Sequence, residues 1–254
     1  KDYVDANLKA GQDEGVSYTF RTIWMPLSKA KDKGFHLGVA ASYRTPKTDV
    51  GSGKVNTVRY STASLSGIDK IKFMDTKDIT SVNHDWLLGS ELAAFSHGVR
   101  FQSEYLLNQT HRMGDLATEK FNGYYAEVAC LLFGGQQSYV ASKGAFTQPL
   151  CGKEWGDIEL AARFDRLDMN GKSVKGGDSK GYTLGINYYA SKNLKFQLNY
   201  SYVDHDKYAN AGGTVAVGYK SATQVTKVPS EVIESFGKVG NDYSIVTLRA
   251  QLNF

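Results

Sequence analysis

Charged side chains recur at every second position along short segments of this chain, with apolar side chains between them. In residues 157–165, for example, Glu159 and Arg163 alternate with Leu160 and Phe164. In a β-strand, side chains two residues apart point to the same side, so this spacing gathers carboxylates and guanidinium groups on one face. Such a face can attract or repel dissolved ions through its charge. The spacing therefore predicts an ion-contacting surface built on strands.

This charged face collects eight basic and six acidic residues from the predicted strands. Unpaired charges are too costly for a dry core, so we predict that the face meets water, inside a lumen. The small basic excess predicts a mild preference for anions, far from the dense basic lining of an anion filter. For each residue, the alternative is a solvated charge or an inter-strand salt bridge. The basic members are Arg21, Arg44, Arg59, Lys72, Arg100, Arg163, Lys195 and Arg249, with Lys70 as a further candidate, and the acidic members are Glu91, Glu104, Glu127, Asp157, Glu159 and Asp165.

Other chemistry finds little support in the residue types and their spacing. The five histidines are scattered, and Cys130 and Cys151 are predicted to be unpaired thiols. No CxxC or HExxH spacing occurs, and residues 171–180 are rich in Gly and Lys but lack the order of a phosphate-binding loop. We therefore expect no metal, no cofactor and no enzyme. A hydrolase whose Ser and His meet across strands stays open, and the net charge of +4 is too mild to indicate nucleic acid.

Eleven strands are predicted to position the charged face. The clearest is 194–202, where Leu198 and Tyr200 lie on one side and Gln197 and Asn199 on the other. The last strand shows the same alternation and ends on Phe254, as in the closing strand of an outer-membrane β-barrel. The predicted spans are 15–26, 35–45, 55–63, 69–76, 84–95, 98–110, 120–134, 155–168, 181–190, 193–204 and 242–254.

Composition agrees with a transmembrane antiparallel β-barrel. The chain has 254 residues, is 41% hydrophobic and has no apolar run long enough for a transmembrane helix. It contains 16 Tyr, 26 Gly and only 4 Pro, which suits aromatic girdles, turns and uninterrupted hydrogen-bond ladders. We predict a single outer-membrane barrel domain over residues 1–254. No signal peptide is visible at Lys1, so a processed or truncated chain is expected.

The predicted connections alternate in length along the chain. Segments 95–98 and 189–193 are tight turns, whereas 169–180 and 205–241 are long and polar. Outer-membrane barrels have short periplasmic turns and long extracellular loops, so 169–180 and 205–241 are predicted to be extracellular and 190–193 periplasmic. Residues 134–154 are long for a periplasmic connection. We expect this segment to fold into the lumen or along the periplasmic mouth.

An ordered set of motifs resembles the phosphate-selective porin O and P family. The matching segments are Trp86–Ala94, Val99–Tyr105, Gly123–Ala129, Lys143–Phe146, Trp155–Phe164 and Gly181–Tyr189. Their order is similar to the C-terminal two-thirds of that family. The resemblance implies a sixteen-stranded, trimeric porin in the bacterial outer membrane, so about five N-terminal strands are expected to be absent here. It also implies that much of the family's anion-selective constriction lies on an absent N-terminal loop.

Three functional hypotheses follow. The first is an outer-membrane porin that passes small polar or anionic solutes passively, with phosphate as one candidate. It implies contact with outer-membrane lipid and a homotrimer, and no nucleic-acid partner. The second is a non-conducting barrel that serves as a structural or accessory partner of another outer-membrane complex. The third is a soluble β-sandwich that binds a ligand, which would place the apolar face in a core and the charged face outside.

Overall fold

The computed structural model describes residues 12–27, 32–65 and 71–252, and about half of them form one antiparallel sheet. Nine strands, here called the wall strands, make this sheet, and each pairs with the next along the chain. No helix in these residues is long and apolar enough to cross a membrane. The wall strands are β1 (Ser17–Trp24), β2 (Lys33–Arg44), β3 (Val82–Ser96), β4 (Val99–Arg112), β5 (Glu119–Leu131), β6 (Asp157–Asn170), β7 (Lys175–Tyr189), β8 (Leu194–His205) and β9 (Asn241–Leu252).

Alternation along each wall strand gives the sheet one apolar face. On this apolar face, Leu184 of β7 lies opposite Tyr200 of β8, and Ile186 lies opposite Leu198. Large apolar side chains stay exposed, and Leu248 of β9 is 78% exposed. A soluble sandwich would bury this face beneath a second sheet, but the described residues contain no sheet packed on it. An exposed apolar surface of this extent is what lipid contact requires.

The opposite face, here called the polar face, carries the charged side chains and is partly covered by two segments. The first is a β-hairpin over residues 136–150, made of Gln136–Val140 and Ala145–Leu150. The second is the loop 45–81 between β2 and β3, in which Ser61–Thr62 pairs with Met74–Asp75. Because the strands are antiparallel, the two segments arise from opposite ends of the sheet.

The buried apolar cluster lies between the loop 45–81 and the polar face. Met74 and Ile79 of the loop pack with Phe121 of β5 and Met169 of β6, and each of the four is at most 4% exposed. Val82 and Ala209 complete the cluster. The core of this protein is therefore local, since it fixes one loop to the wall, while the wall itself is held by hydrogen-bond ladders.

The prediction of eleven strands is wrong in one region. Segments 55–63 and 69–76 are not wall strands, because both belong to the loop 45–81. Their apolar residues, such as Met74, turn towards the buried cluster instead of lipid. Arg59 and Lys72 consequently lie on the loop and not on the wall. Lys70, Asn253 and the terminal Phe254 fall outside the described residues.

The predicted long connection 169–180 is also wrong, because β6 continues to Asn170 and β7 begins at Lys175. The ladder runs on through Arg166, opposite Lys180, and Asp168, opposite Asp178. These polar side chains lie on the same side as the apolar face, so the strands extend beyond the apolar band. The other predicted connections agree well: 97–98 and 190–193 are short, and 206–240 is long.

Candidate functional site

Ion pairs cross the polar face where β1, β2 and β3 lie side by side. The Arg21 guanidinium of β1 donates from Nε to Oε1 of Glu91 on β3 over 2.5 Å, and from its terminal nitrogen to Oε2 over 2.6 Å. The bond spans β2 because Gly38 lies between them, where a Cβ would come within 2.4 Å of the Glu91 side chain. His36 lies beside this pair, with Nε2 at 3.6 Å from Glu91 Oε2.

A second network occupies the polar face of β4, β5 and β6. Arg100 reaches Glu127 at 2.6 Å and Glu159 at 3.0 Å between guanidinium nitrogens and carboxylate oxygens. Arg163 lies 3.5 Å from the other oxygen of Glu127 and 3.4 Å from Asp165. These five predicted residues therefore meet, and their charges largely neutralise one another.

Further ion pairs involve acids that the sequence pattern did not single out. Arg44 lies 3.3 Å from Asp85, whose other oxygen accepts a hydrogen bond from the Tyr60 hydroxyl at 2.9 Å. Arg59 donates from Nε to Asp75 over 2.8 Å. Arg112 of β4, whose guanidinium lies 4.0 Å from Glu119, was also missed. The even positions shared by Arg100 and Arg112 on β4, and the odd positions shared by Asp85 and Glu91 on β3, could have identified Arg112 and Asp85.

Two predicted cations differ from all the others on the wall. Lys195 of β8 and Arg249 of β9 form no ion pair among the described residues. Lys195 pairs in the ladder with Gln251, and Arg249 with Gln197, so the two cations are diagonal neighbours. The remaining polar-face residues of β8 and β9 include no carboxylate, which leaves this strip positively charged. It comprises Lys195, Gln197, Asn199, Ser201, Val203, His205, Asn241, Tyr243, Ile245, Thr247, Arg249 and Gln251.

The predicted acidic residues divide by exposure. Glu104 accepts a hydrogen bond from the Tyr125 hydroxyl at 2.6 Å, and it lines a recess of about 430 Å³ beside Arg21 and Glu91. Asp157 and Glu159, in contrast, are 0% exposed. They share the polar face with the other predicted residues, but solvent does not reach their carboxylates.

The hairpin 136–150 lies across the polar face, in agreement with the first of the two expected positions for segment 134–154. Its Tyr139 ring stacks on Phe95 of β3 at 5.7 Å and meets the edge of His36 at 5.9 Å. Phe146 lies under the Arg100 guanidinium, 5.5 Å from the ring centroid. At the tip, a Cβ on Gly144 would come within 2.6 Å of Ile23 on β1. The hairpin therefore reaches from its root beside β6 to β1.

The loop 45–81 crosses the same face at the opposite end of the strands. The Tyr60 hydroxyl lies 3.1 Å from Thr110 of β4, and its ring meets Phe121 of β5 at 5.7 Å. Farther along the loop, Phe73 stacks on His205 of β8 at 5.0 Å, and its ring lies tilted against Tyr243 of β9 at 5.3 Å between ring centroids. Segments of this chain thus cover part of the polar face at both of its ends.

Burial and charge shift the acidity of groups on these connections. Burial is the main cause that raises the pKa of Tyr60 to about 12, so its hydroxyl stays a hydrogen-bond donor. The hydrogen bond from Arg59 lowers the pKa of the Asp75 carboxyl below its ordinary value. Burial raises the pKa of the Cys151 thiol. Both cysteines are free, as predicted, and the described residues contain no cluster of three or more potential ligands arranged to hold a metal ion.

A second recess lies between the hairpin and the positive strip. Its volume is about 360 Å³, and its lining includes Lys195, Gln251, the Arg100–Glu159 ion pair and, from the hairpin, Gln148. A cation beside amide groups provides donors suited to an anion. The arrangement can bind or guide a solute through charge and hydrogen bonds.

Comparison with known proteins finds one family over most of the chain. Residues 3–227 match the family described as phosphate-selective porin O and P. An uncharacterized protein of Caulobacter vibrioides is 28% identical over 202 residues, which cover 77% of this chain and 39% of that relative. The chain thus spans about two fifths of the length of this curated relative.

Proposed function

Because the chain belongs to the phosphate-selective porin O and P family, we propose that it forms part of a passive outer-membrane channel for small polar solutes that mildly prefers anions. The family consists of outer-membrane porins of Gram-negative bacteria and is not an enzyme family. The proposal covers inorganic phosphate as one such anion. It also includes the homotrimer that the family resemblance implies.

The observation that carries the proposal is that Lys195 and Arg249 form no ion pair among the described residues. Arg21, Arg100 and Arg163 each have carboxylates within 4 Å, so they add little net potential to the polar face. The polar-face positions of β8 and β9 carry these two cations and no carboxylate, so the strip raises the local concentration of anions. At about 0.1 M salt the Debye length is roughly 10 Å, so the bias acts over distances comparable to a pore radius.

Reversal potentials in planar bilayers under a KCl gradient test this proposal. In the full-length protein, Lys195→Gln with Arg249→Gln should lower the chloride-to-potassium permeability ratio by about twofold at 0.1 M salt, and the effect should fade near 1 M. The matched control is Lys180→Gln with Lys192→Gln. It removes the same formal charge from exposed positions off the polar face and should leave the ratio unchanged.

The possible outcomes separate the hypotheses. Clear cation selectivity of the unmodified protein would contradict the anion preference while leaving a channel. Folded, membrane-inserted protein without conductance would contradict the channel and favour the non-conducting accessory barrel. Equal effects of the two double variants would mean that general surface charge, and not the strip on β8 and β9, sets the selectivity.

A further inference from the structure

One buried carboxylate ties both arms of the hairpin 136–150 to the wall. Asp157, the first residue of β6, is 0% exposed. Its Oδ1 accepts a hydrogen bond from the backbone N–H of Phe133 at 3.0 Å, and its Oδ2 accepts from Gly135 at 2.9 Å and from Gly152 at 3.0 Å. Phe133 and Gly135 precede the hairpin and Gly152 follows it, so a single side chain closes its root.

The backbone at this root approaches too closely for ordinary side chains. A Cβ on Gly135 would lie 2.5 Å from Asp157 Oδ2, and a Cβ on Gly152 would lie 2.2 Å from the carbonyl oxygen of Phe133. Glycine at both positions therefore allows three N–H groups of the hairpin root to converge on one carboxylate, which also accepts from the N–H of Ile158 at 2.8 Å. Charge-assisted bonds of this kind offset the cost of burying the charge.

A second buried contact continues the attachment along the first hairpin strand. Gln137 is 3% exposed, and its Nε2 donates to Glu159 Oε2 at 3.1 Å and to the carbonyl oxygen of Gly98 at 3.1 Å. Glu159 also accepts from Asn187 at 3.1 Å, which fixes the carboxylate that Gln137 contacts. The hairpin is thus aligned over β6 and the turn that precedes β4 by hydrogen bonds to the buried Glu159 carboxylate and to the Gly98 carbonyl oxygen.

We infer that Asp157 is a positioning residue that sets the open area of the channel by holding the hairpin across the polar face. This inference rests on the proposed channel function. Asp157 does not touch solute, because its carboxylate is buried and its bonds go to the hairpin root and to the N–H of Ile158. Its influence acts through the hairpin, which contributes Phe146 and Gln148 to the recess beside Lys195.

Asp157→Ala in the full-length protein tests the inference by two independent readouts. Single-channel conductance should rise by about twofold or more, because a released hairpin widens the constriction. In detergent solution, tryptic cleavage after Lys143 near the hairpin tip should become faster, because cleavage requires a mobile segment. Asp157→Asn keeps one acceptor oxygen and should give intermediate values for both.

Asp165→Ala is the matched control. It removes an acid from the polar face of the same strand, and Asp165 contacts Arg163 and not the hairpin. Cleavage after Lys143 should stay close to that of the unmodified protein, and any change of conductance in Asp165→Ala measures the effect of the lost charge alone. This control separates the loss of a negative charge from the loss of the hydrogen bonds between Asp157 and the hairpin root.

The outcomes distinguish this inference from the proposed function. Unchanged conductance and cleavage in a folded Asp157→Ala protein would overturn the positioning role. If the unmodified protein does not conduct, the channel proposal and the conductance role of Asp157 both fail, but the cleavage assay still shows whether Asp157 holds the hairpin. Failure of both Asp157 variants to give a folded, membrane-inserted barrel would assign the residue to barrel stability and would also overturn the inference.

Discussion

The two segments that cross the polar face are fixed by opposite kinds of interaction. The loop 45–81 is held by apolar side chains, with Met74 fully buried and Ile79 2% exposed against Phe121 and Met169. The hairpin 136–150 is held mainly by two buried carboxylates, and its rings Tyr139 and Phe146 are only half-buried. The protein thus attaches one segment through buried apolar side chains, here called the hydrophobic anchor (Met74 and Ile79). It attaches the other through hydrogen bonds to buried carboxylates, here called the polar clasp (Asp157 and Glu159).

This difference predicts different responses to change. Apolar burial is non-directional, so an anchor such as Met74 tolerates small shifts and weakens in proportion to the volume lost. Hydrogen bonds weaken steeply once distance and angle depart from their optimum, so a clasp of three N–H groups on one carboxylate responds to any change at its root. The following substitutions test whether the two attachments are independent.

The largest effect is expected from Met74→Ala in the hydrophobic anchor. Removal of a fully buried methionine side chain costs about 2–5 kcal/mol, which should release the loop 45–81 locally. Tryptic cleavage after Lys77 should become faster, while cleavage after Lys143 in the hairpin should not change.

The control for this substitution is Val55→Ala on the same loop, where the side chain is 43% exposed and little packing is lost. Equal acceleration of cleavage at Lys77 and Lys143 by Met74→Ala would show that the two segments are released together. Such a result would remove the contrast between anchor and clasp.

A smaller effect is expected from Gly152→Ala at the hairpin root. The added methyl group would meet backbone atoms of Phe133 and Gly134 at 2.2 and 2.5 Å, and overpacking of this kind costs about 1–3 kcal/mol. Cleavage after Lys143 should accelerate and cleavage after Lys77 should not. Gly51→Ala serves as the matched control, because a Cβ there meets only Asp49, at 3.4 Å. Equal cleavage of the two variants would argue against a tightly closed root.

The smallest effect is expected from acid on the Arg59–Asp75 pair, which stabilises the loop 45–81 in addition to its buried apolar side chains. The hydrogen bond from Arg59 depresses the pKa of Asp75, so its stabilisation is present above the ordinary Asp value of about 3.9 and is lost as pH falls through the lower folded value. Amide protection around Lys77, which donates to Asp75 at 2.9 Å, should fall in acid after correction for intrinsic exchange rates. In Asp75→Asn this pH dependence should disappear. Protection that falls identically in both proteins would assign the acid sensitivity to another group.

Strand alternation predicted most of the wall because lipid and water impose a period of two on every wall strand. β8 and β9 agree with the predicted spans within about two residues of the described chain, as the usual uncertainty of boundaries allows. Segment 55–63 shows a similar alternation, but Tyr60 finds its partners on β3, β4 and β5. A local pattern contains no information about such distant contacts. The end of β6 was predicted too early for the converse reason. Polar residues beyond the apolar part of the strand still continue the hydrogen-bond ladder.

Strand alternation was limited in the same way for the predicted charged residues, because it shows which face a side chain is on but not what it contacts. Parity along the strands correctly grouped Arg100, Glu127 and Arg163. It could not reveal that Lys195 and Arg249 lack acidic partners, because pairing depends on neighbours across the sheet. Nor could it distinguish Asp157 from Asp165, although one carboxylate is buried at the hairpin root and the other is not. Whether these groups contact solute remains a prediction.

The place of Asp157 at the very start of β6 has a consequence for assembly. If β6 slipped by one residue against β5, every side chain would change faces, and this carboxylate would point towards lipid. Phe133, Gly135 and Gly152 would then lose the acceptor for their N–H groups. Gly135 is buried, and a buried donor without a partner is costly, so the slipped arrangement is penalised at a point where apolar alternation alone would penalise it only weakly. The hairpin root thus acts as a register check, which closes only when β5 and β6 have paired correctly.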